Sequence, residues 1–208
     1  MRVLGVLAGR DVQPSRVKEW AELADWVIAA DGAADMFSQL ERPPHIIIGD
    51  MDSMTIESNV ERIVIPDQSH SDCDKLLRHV EALGHTDITL IGLEGDRFDH
   101  VLASLSSAVH SNLGVRVILR TGQAILIRHG DVRQIAARKG QTVSLIPYPE
   151  CTVEEFSGVQ WPLRRVDLRL GASLSLSNVA IEPPISVSLT RGHAWLILSE
   201  PVESPAAW

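Results

Sequence analysis

Up to Arg120, the chain alternates short apolar runs with segments in which apolar residues recur at helical spacing. The apolar runs predict strands at Val3–Ala8, Trp26–Ala30, His45–Gly49, Ile63–Ile65, Thr86–Ile91 and Val115–Leu119. Helices are predicted between them, at Pro14–Leu23, at Ala34–Leu40, from Ser71 to Gly84 and at about Asp99–His110. Because strands that alternate with helices form crossover units, we expect an α/β domain with a mostly parallel sheet.

After Arg120 the pattern changes to short β-rich runs separated by Gly, Pro and Asn. The runs are Ala124–Arg128, Thr142–Ile146, Thr152–Phe156, Ser173–Ser177, Ile185–Leu189 and Ala194–Leu198. They predict an all-β second domain, a sandwich or a small barrel. The predicted domains are residues 1–121 and 122–208, and the tail Pro201–Trp208 is expected to fray.

The totals exclude several classes of protein. A hydrophobic content of 45% over 208 residues is too high for a disordered chain. The formal net charge of −8, without a basic run, argues against nucleic acid as a partner. No run approaches the roughly 20 apolar residues that span a bilayer, and Met1–Gly9 is better interpreted as a first strand than as a signal peptide. Cys73 and Cys151 lack metal-ligand or redox spacing, which predicts free thiols in a reducing cytoplasm.

The most informative stretch is Ile46–Ser53, in which a fully apolar run ends in a glycine and two aspartates follow. Open α/β sheets bind their ligands just beyond the carboxyl ends of such buried strands. Asp50 and Asp52 would repel each other there unless a cation lay between them. Mg²⁺ takes carboxylate and phosphate oxygens as ligands, so we expect Asp50 and Asp52 to hold a metal for phosphoryl chemistry.

Three further aspartates follow predicted strands. Asp31 follows the second strand, Asp72 opens a helix after the fourth, and Asp99 comes after the strand that ends at Ile91. In a parallel sheet these positions converge on one edge. Structural interpretations stay open: Asp31 with Gly32 can form a plain turn, an acid such as Asp72 or Asp74 can simply favour a helix N-terminus, and a single aspartate after a strand is a common loop residue.

Two cations are placed to join these acids. Lys75 lies one turn into the helix that Asp72 opens, and Arg97 lies in the loop Gly92–Arg97 before a helix. Such loops let backbone N–H groups and an arginine meet phosphate oxygens. The alternative for both side chains is simple solvation, and His100 is expected to support the helix or Asp99 rather than act as a base.

Ordered segments of both domains resemble the motifs of the thiamine pyrophosphokinase family. In the first domain they are Ala30–Asp35, Gly49–Ser53, Pro66–Lys75 and Gly92–His100, and in the second they are Gly158–Leu163 and Gly171–Asn178. The resemblance implies a homodimeric enzyme that transfers pyrophosphate from ATP to thiamine with Mg²⁺, giving thiamine diphosphate and AMP. It also implies an α/β nucleotide domain, a β-sandwich that binds thiamine and mediates dimerisation, and active sites at the subunit interface.

The resemblance assigns a role to each matching residue. Asp50, Asp52 and Asp72 would bind metal, and together with Asp99 and Arg97 they would form the catalytic set. Contacts to ATP and its phosphates would come from Asp31, Gly32, Gln68, Lys75 and Arg97. Contacts to thiamine would come from Trp161, Ser175, Ser177 and Asn178. Either Asp99 or Asp72 would orient or deprotonate the thiamine hydroxyl, and the sequence does not choose between them.

Four positions depart from the family pattern. Ala33 replaces a usual glycine, Asp35 a frequent asparagine and Ser71 a usual threonine. Asp96 replaces a common glycine and adds a negative charge where phosphates pass. Two alternatives stand beside a thiamine diphosphokinase. One is a pterin diphosphokinase, which would use the same aspartates for the same transfer to a different alcohol. The other is a nucleotide- or thiamine-binding sensor without catalysis, which the charge of Asp96 keeps open.

Overall fold

The computed structural model describes residues 1–40, 42–54, 59–95 and 97–200. It divides this part of the chain into two units, one from Met1 to Arg120 and one that begins at Thr121. The expectations for Asp96 and for the tail Pro201–Trp208 concern residues outside these ranges.

The first unit is an α/β unit. Its strands are β1 (Val3–Val6), β2 (Trp26–Ala30), β3 (Ile46–Gly49), β4 (Glu61–Val64), β5 (Asp87–Ile91) and β6 (Gly114–Leu119). Its α-helices are α1 (Pro14–Leu23), α2 (Asp72–Ala82) and α3 (Phe98–His110), and a 3-10 helix covers Asp31–Gln39. The strands pair in the order β6-β5-β1-β2-β3-β4, and every pair is parallel, as predicted.

The apolar runs form these strands because both faces of the sheet are covered. All four residues of β1 and of β3 are buried, which explains why each run is continuously hydrophobic rather than alternating. Helix α2 buries Cys73, Leu76, Leu77 and Val80, while the Ser71 hydroxyl accepts the Asp74 N–H at 3.2 Å and caps its first turn. The carboxyl ends of the parallel strands consequently share one edge.

The second unit is built from antiparallel strands. They are β7 (Gly122–Arg128), β8 (Val132–Ile135), β9 (Thr142–Ser157), β10 (Leu163–Arg169), β11 (Ser175–Val179) and β12 (Ile185–Ser199). Strand β12 pairs with β7, β8 and β9, and β9 also pairs with β10 and β11. Together the two units make a mixed α/β chain with extensive sheet.

Details of the second unit differ from the prediction. Two pairs of predicted short strands are in fact the long strands β9 and β12, since pairing carries each through residues that resemble breaks, such as Pro147. Register shifts in the β12–β9 pairing accommodate the irregularity. Strands β8 and β10 were missed because their largely exposed, polar sequences lack apolar alternation.

Both cysteines are buried free thiols. Burial raises the pKa of Cys73 to about 12 and that of Cys151 to about 11, so neither is a reactive thiolate. In the described part of the chain, none of the helices combines the length and the apolar character that crossing a membrane requires.

Candidate active site

Three carboxylates meet beyond the carboxyl ends of β2 and β3. Asp31 directly follows β2, and Asp50 and Asp52 follow β3. One oxygen of each lies within 4.8 Å of the others. Asp31 is buried, Asp50 is half-buried and Asp52 is exposed, so the cluster is closed on one side and open to solvent on the other.

Asp31 organises the turn that carries the other two acids. Its Oδ1 accepts the Gly32 N–H at 2.6 Å, and its Oδ2 accepts the Met51 N–H at 2.7 Å. Met51 has a φ of 68°, a left-handed conformation that aims its N–H back at Asp31. A Cβ on Gly49 would overlap the Asp31 carboxylate, which explains the glycine at the end of β3.

The environment separates the proton affinities of these acids. Burial raises the pKa of Asp31, and the negative charges of Asp72 and Asp50 raise it further. The Asp52 N–H and the Gln68 side chain donate hydrogen bonds to Asp50 and lower its pKa. Carboxylates whose pKa values are shifted by burial and by neighbouring groups are concentrated at functional sites of proteins.

Gln68 joins the cluster from the segment between β4 and α2. Its Nε2 donates to Asp50 Oδ2 at 2.5 Å. The segment is aligned with β3 because the Ile65 N–H donates to the Gly49 carbonyl at 2.7 Å. Gln68 therefore contacts a carboxylate in this structure.

A cavity of 420 Å³ opens beside the carboxylates. Its wall includes the neighbours of the acidic cluster, the start of α2 and the glycine loop after β5: Ala30, Gly32, Ser53, Ser71, Asp72, Gly92, Gly95, Arg97, His100 and Ser104. The volume suits a small molecule. Of the described carboxylates, Asp72 is the one in the cavity wall.

Both predicted cations are paired with acids. Lys75, which is 5% exposed, donates from Nζ to Asp72 Oδ1 at 3.1 Å. Arg97 donates to both oxygens of Asp99, from Nε at 3.0 Å and from Nη2 at 2.7 Å. These bonds hold the pKa of Asp99 well below its usual range. Asp99 is therefore an ionised group that orients the Arg97 guanidinium.

In the second unit, Asn178 is a buried link between two segments. Its Oδ1 accepts the Trp161 N–H at 3.1 Å and the Val179 N–H at 2.9 Å, and its Nδ2 donates to the Trp161 carbonyl at 2.8 Å. Ser175 is also buried, with its Oγ 3.4 Å from Asn178 Nδ2. Ser177 and the Trp161 side chain are exposed and accessible to a ligand.

Two family descriptions match this chain. The thiamin pyrophosphokinase catalytic domain matches residues 17–119, and the thiamin pyrophosphokinase vitamin B1 binding domain matches residues 130–193. Together they span most of the sequence.

The chain belongs to the thiamine pyrophosphokinase family. Curated relatives agree and confirm the family prediction. Thiamine pyrophosphokinase 1 of Arabidopsis thaliana is 26% identical over 175 residues, which cover 74% of this chain and 65% of that protein, just under two thirds of its length. Thiamin pyrophosphokinase 1 of Caenorhabditis elegans is 25% identical over 216 aligned residues, 92% of this chain and 87% of that protein.

Solved structures of thiamine pyrophosphokinases share the fold. The Bacillus subtilis protein superposes with a TM-score of 0.80 at 21% identity, covering 96% of this chain and 99% of that chain. The yeast protein gives a TM-score of 0.76 at 17% identity, covering 98% and 87%. Because these superpositions cover 96% and 98% of this chain, the likeness includes residues of both units.

The chain brings together two of the three predicted metal ligands. Asp50 and Asp52 lie together as expected, and the third member of the group is Asp31 rather than Asp72. Asp72 lies nearby, since its charge raises the pKa of Asp31, but its carboxylate is paired with Lys75.

Sequence reasoning missed some residues that line the cavity. Gly9 and Arg10 line it from the loop that follows β1, so the strand-end rule applied to Asp31 and Asp50 would also have found them. A Cβ on Gly9 would overlap the backbone of the loop after β5, which explains the glycine. Ser104 lines the cavity from helix α3. The sequence gave no signal for it, because a serine within a helix is unremarkable.

Proposed function

We propose that this chain is a thiamine diphosphokinase that transfers pyrophosphate from ATP to the thiamine hydroxyl, giving thiamine diphosphate and AMP. The observation that carries the proposal is the cluster of Asp31, Asp50 and Asp52 beside a cavity lined by glycines and Arg97, in a chain of this family. Phosphoryl transfer depends on positioning and charge neutralisation, and these residues supply both.

The acidic cluster fits Mg²⁺. Its donors are carboxylate oxygens, the hard ligands this ion prefers, and three of them approach one another within 4.8 Å. We assign Asp50 and Asp52 as ligands, with Asp72 at the cavity wall as a further candidate. When bound, the ion would offset the negative charge of the ATP phosphates. Asp31 holds the turn between the two ligands through the Met51 N–H.

The phosphates of ATP are proposed to lie against the glycine loop after β5. Gly92 and Gly95 leave backbone close to the cavity, and Arg97 enters its wall with a guanidinium held by Asp99. An arginine fixed in this way is prepared to bind two phosphate oxygens at once. Lys75 places a second positive charge beside Asp72, and Gly32 lines the side near Asp31.

The reaction forms a bond between the thiamine hydroxyl oxygen and the β-phosphorus of ATP. The bond from that phosphorus to the oxygen bridging it to the α-phosphate breaks, and AMP leaves with the electron pair. The hydroxyl proton passes to a carboxylate. Asp72 is the better candidate because it lines the cavity, whereas both oxygens of Asp99 accept from Arg97.

The second unit is proposed to be a β-sandwich that binds thiamine and mediates homodimerisation. Trp161 and Ser177 are exposed and can contact thiamine. Asn178 is buried beneath them, where it donates to the Trp161 carbonyl and lies next to the Ser175 hydroxyl. Leu170 and Leu176 of this unit are exposed apolar side chains that a second copy would be able to cover. We further propose that the active sites lie at that subunit interface and that the protein is cytoplasmic. Residues 1–121 would be the catalytic domain that binds nucleotide and metal, and residues 122–208 the domain that binds thiamine and forms the dimer.

The test is incubation of the purified chain with ATP, Mg²⁺ and thiamine, scored for AMP and thiamine diphosphate. Formation of both in equal amounts supports the proposal. AMP formation with a hydroxymethylpterin but not with thiamine would favour the pterin diphosphokinase, and binding of ATP or thiamine without turnover would favour the sensor. The relatives quoted above are named neither as pterin diphosphokinases nor as sensors. Analytical ultracentrifugation of the same sample measures its oligomeric state, which the proposal expects to be a dimer.

A further inference from the structure

The segment Asp67–Ser71 between β4 and α2 is held by an internal hydrogen-bond network. Asp67 Oδ1 accepts from the Ser69 N–H at 2.8 Å and from the Ser69 hydroxyl at 2.6 Å. Asp67 Oδ2 lies 2.5 Å from His70 Nδ1. The Asp67 carboxylate therefore contacts the backbone and side chain of Ser69 and the side chain of His70.

His70 connects this network to helix α2. Its Nε2 lies 3.8 Å from Asp74 Oδ2, and the same oxygen pairs with Arg78 Nε at 2.8 Å. The imidazole thus stands between a carboxylate of the loop and a carboxylate of the helix. Because Asp74 lies in the first turn of α2, His70 lies next to the helix that presents Asp72 and Lys75.

Gln68 lies in the sequence between Asp67 and Ser69. Its side chain is exposed and takes no part in the network of Asp67, but it donates to Asp50 at 2.5 Å. The direction of that donation depends on the backbone at residues 67–70, which the contacts of Asp67 and His70 define. A group that fixes the donor to a metal-binding carboxylate tunes both the orientation and the basicity of that carboxylate.

We propose that His70 is a positioning residue of the phosphoryl-transfer site, acting through Gln68 on Asp50. The proposal rests on the proposed function, since it assigns Asp50 to the metal. His70 clamps the loop between Asp67 and Asp74, and the clamp keeps the Gln68 amide on Asp50. It does not touch substrate.

Three variants at His70 test the clamp. His70→Ala removes both contacts, His70→Asn keeps a donor at the position of Nδ1 facing Asp67, and His70→Gln carries its amide beyond that position. We expect His70→Ala to lower kcat and to raise the Mg²⁺ concentration for half-maximal turnover, each about tenfold, with KM for thiamine unchanged. His70→Asn should recover most of the loss, and His70→Gln little of it. His110→Ala, at the far end of α3, is the matched control and should match wild type.

A double-mutant cycle with Gln68→Ala separates positioning from general support of the fold. If His70 acts through Gln68, the double variant is no worse than Gln68→Ala alone. Additive losses, or a His70→Ala enzyme with wild-type kcat and Mg²⁺ dependence, would overturn the proposal. Thermal unfolding checks that each variant is folded. If His70→Ala does not fold, the comparison of His70→Asn with His70→Gln tests the proposal instead.

The role of His70 can be tested even if the proposed function is wrong. If wild type forms no AMP with thiamine, Mg²⁺-dependent binding of ATP is measured by calorimetry for the same variants. Weaker binding by His70→Ala, restored by His70→Asn, supports the clamp. Equal binding by all variants overturns it.

Discussion

The buried carboxylate of Asp31 accepts a hydrogen bond from the Met51 N–H at 2.7 Å, and this contact shapes the turn between Asp50 and Asp52. Gly49 leaves room for that carboxylate, because a Cβ at this position would overlap it. We expect Gly49→Ala to displace Asp31, to lower the free energy of unfolding by about 1–3 kcal/mol and to weaken Mg²⁺-dependent turnover. Chemical denaturation and the AMP assay measure the two effects.

The control for Gly49→Ala is Gly130→Asn. No atom lies within 4 Å of a Cβ built on Gly130, and asparagine tolerates its φ of 83°. This variant should keep both stability and turnover close to wild type. A Gly49→Ala protein with unchanged turnover would show that the position of Asp31 does not matter for the reaction.

Asp52 is exposed, so replacing it should affect chemistry rather than folding. We expect Asp52→Ala to unfold at the temperature of wild type or slightly above it, since one repulsive charge is removed from the cluster. Loss of a metal ligand removes several kcal/mol of transition-state stabilisation, which corresponds to a fall in kcat of about a hundredfold or more. Glu22→Gln on α1 is the charge-matched control. Wild-type turnover by Asp52→Ala would remove the metal role assigned here.

The roles of Asp72 and Asp99 can be separated by amide substitution. Asn at position 99 can still accept one hydrogen bond from Arg97, so Asp99→Asn should lose about tenfold in kcat/KM for ATP through a less fixed guanidinium. Asn at position 72 cannot take a proton, and general-base losses are typically about 10²–10⁴-fold. Steady-state kinetics with each substrate varied distinguish the two. A larger loss in kcat for Asp99→Asn than for Asp72→Asn would reverse the assignment.

Local sequence patterns were sufficient for the strands and the α-helices of the first unit because its signals are local. The short helix predicted at Ala34–Leu40 differs, since it is a 3-10 helix that begins at Asp31. A buried parallel strand is a continuous apolar run, as in Ile46–Gly49, and the rule that strand ends share an edge brought Asp31, Asp50 and Asp52 together. The same rule does not determine which carboxylate oxygens come within 4.8 Å of one another. That choice depends on the turn at Met51 and on the pairing of Asp72 with Lys75.

The second unit depends on contacts between distant positions, which a single sequence does not display. Asn178 was predicted to contact thiamine, and the hydrogen bonds it makes to the Trp161 backbone cannot be inferred from a spacing of 17 residues. Strand β10 is mostly exposed and is specified by its pairing with β9 rather than by apolar alternation. Tertiary pairing therefore outweighs local pattern in this part of the chain.

Asn178 and Ser177 offer a matched pair of substitutions on one strand. Asn178 is 1% exposed and bonds both the N–H and the carbonyl of Trp161, so Asn178→Ala should cost about 1–3 kcal/mol of unfolding free energy. Ser177 is exposed, and Ser177→Ala should leave stability within about 0.5 kcal/mol of wild type. If Ser177 contacts thiamine, its replacement raises KM for thiamine and leaves KM for ATP unchanged.

Thermal and chemical unfolding together with thiamine kinetics test the pair. An Asn178→Ala protein as stable as wild type would mean that the link to Trp161 contributes little. An unchanged KM for thiamine in Ser177→Ala would exclude a binding contribution from that hydroxyl.

The hydrogen bonds to the Asp67 carboxylate predict that part of the free energy of unfolding is lost at acid pH. The Ser69 hydroxyl, the Ser69 N–H and His70 lower the pKa of Asp67 far below its ordinary 3.8. Because the folded-state pKa lies below the unfolded one, the stabilisation is complete above about pH 5 and is lost as the pH falls through about 4 towards the folded-state pKa. We expect wild type to have a higher Tm than Asp67→Asn near neutral pH, with the difference shrinking as the pH approaches about 3. Calorimetric scans of both proteins in chelator at constant ionic strength measure this, and a Tm difference that stays constant over the range would contradict it.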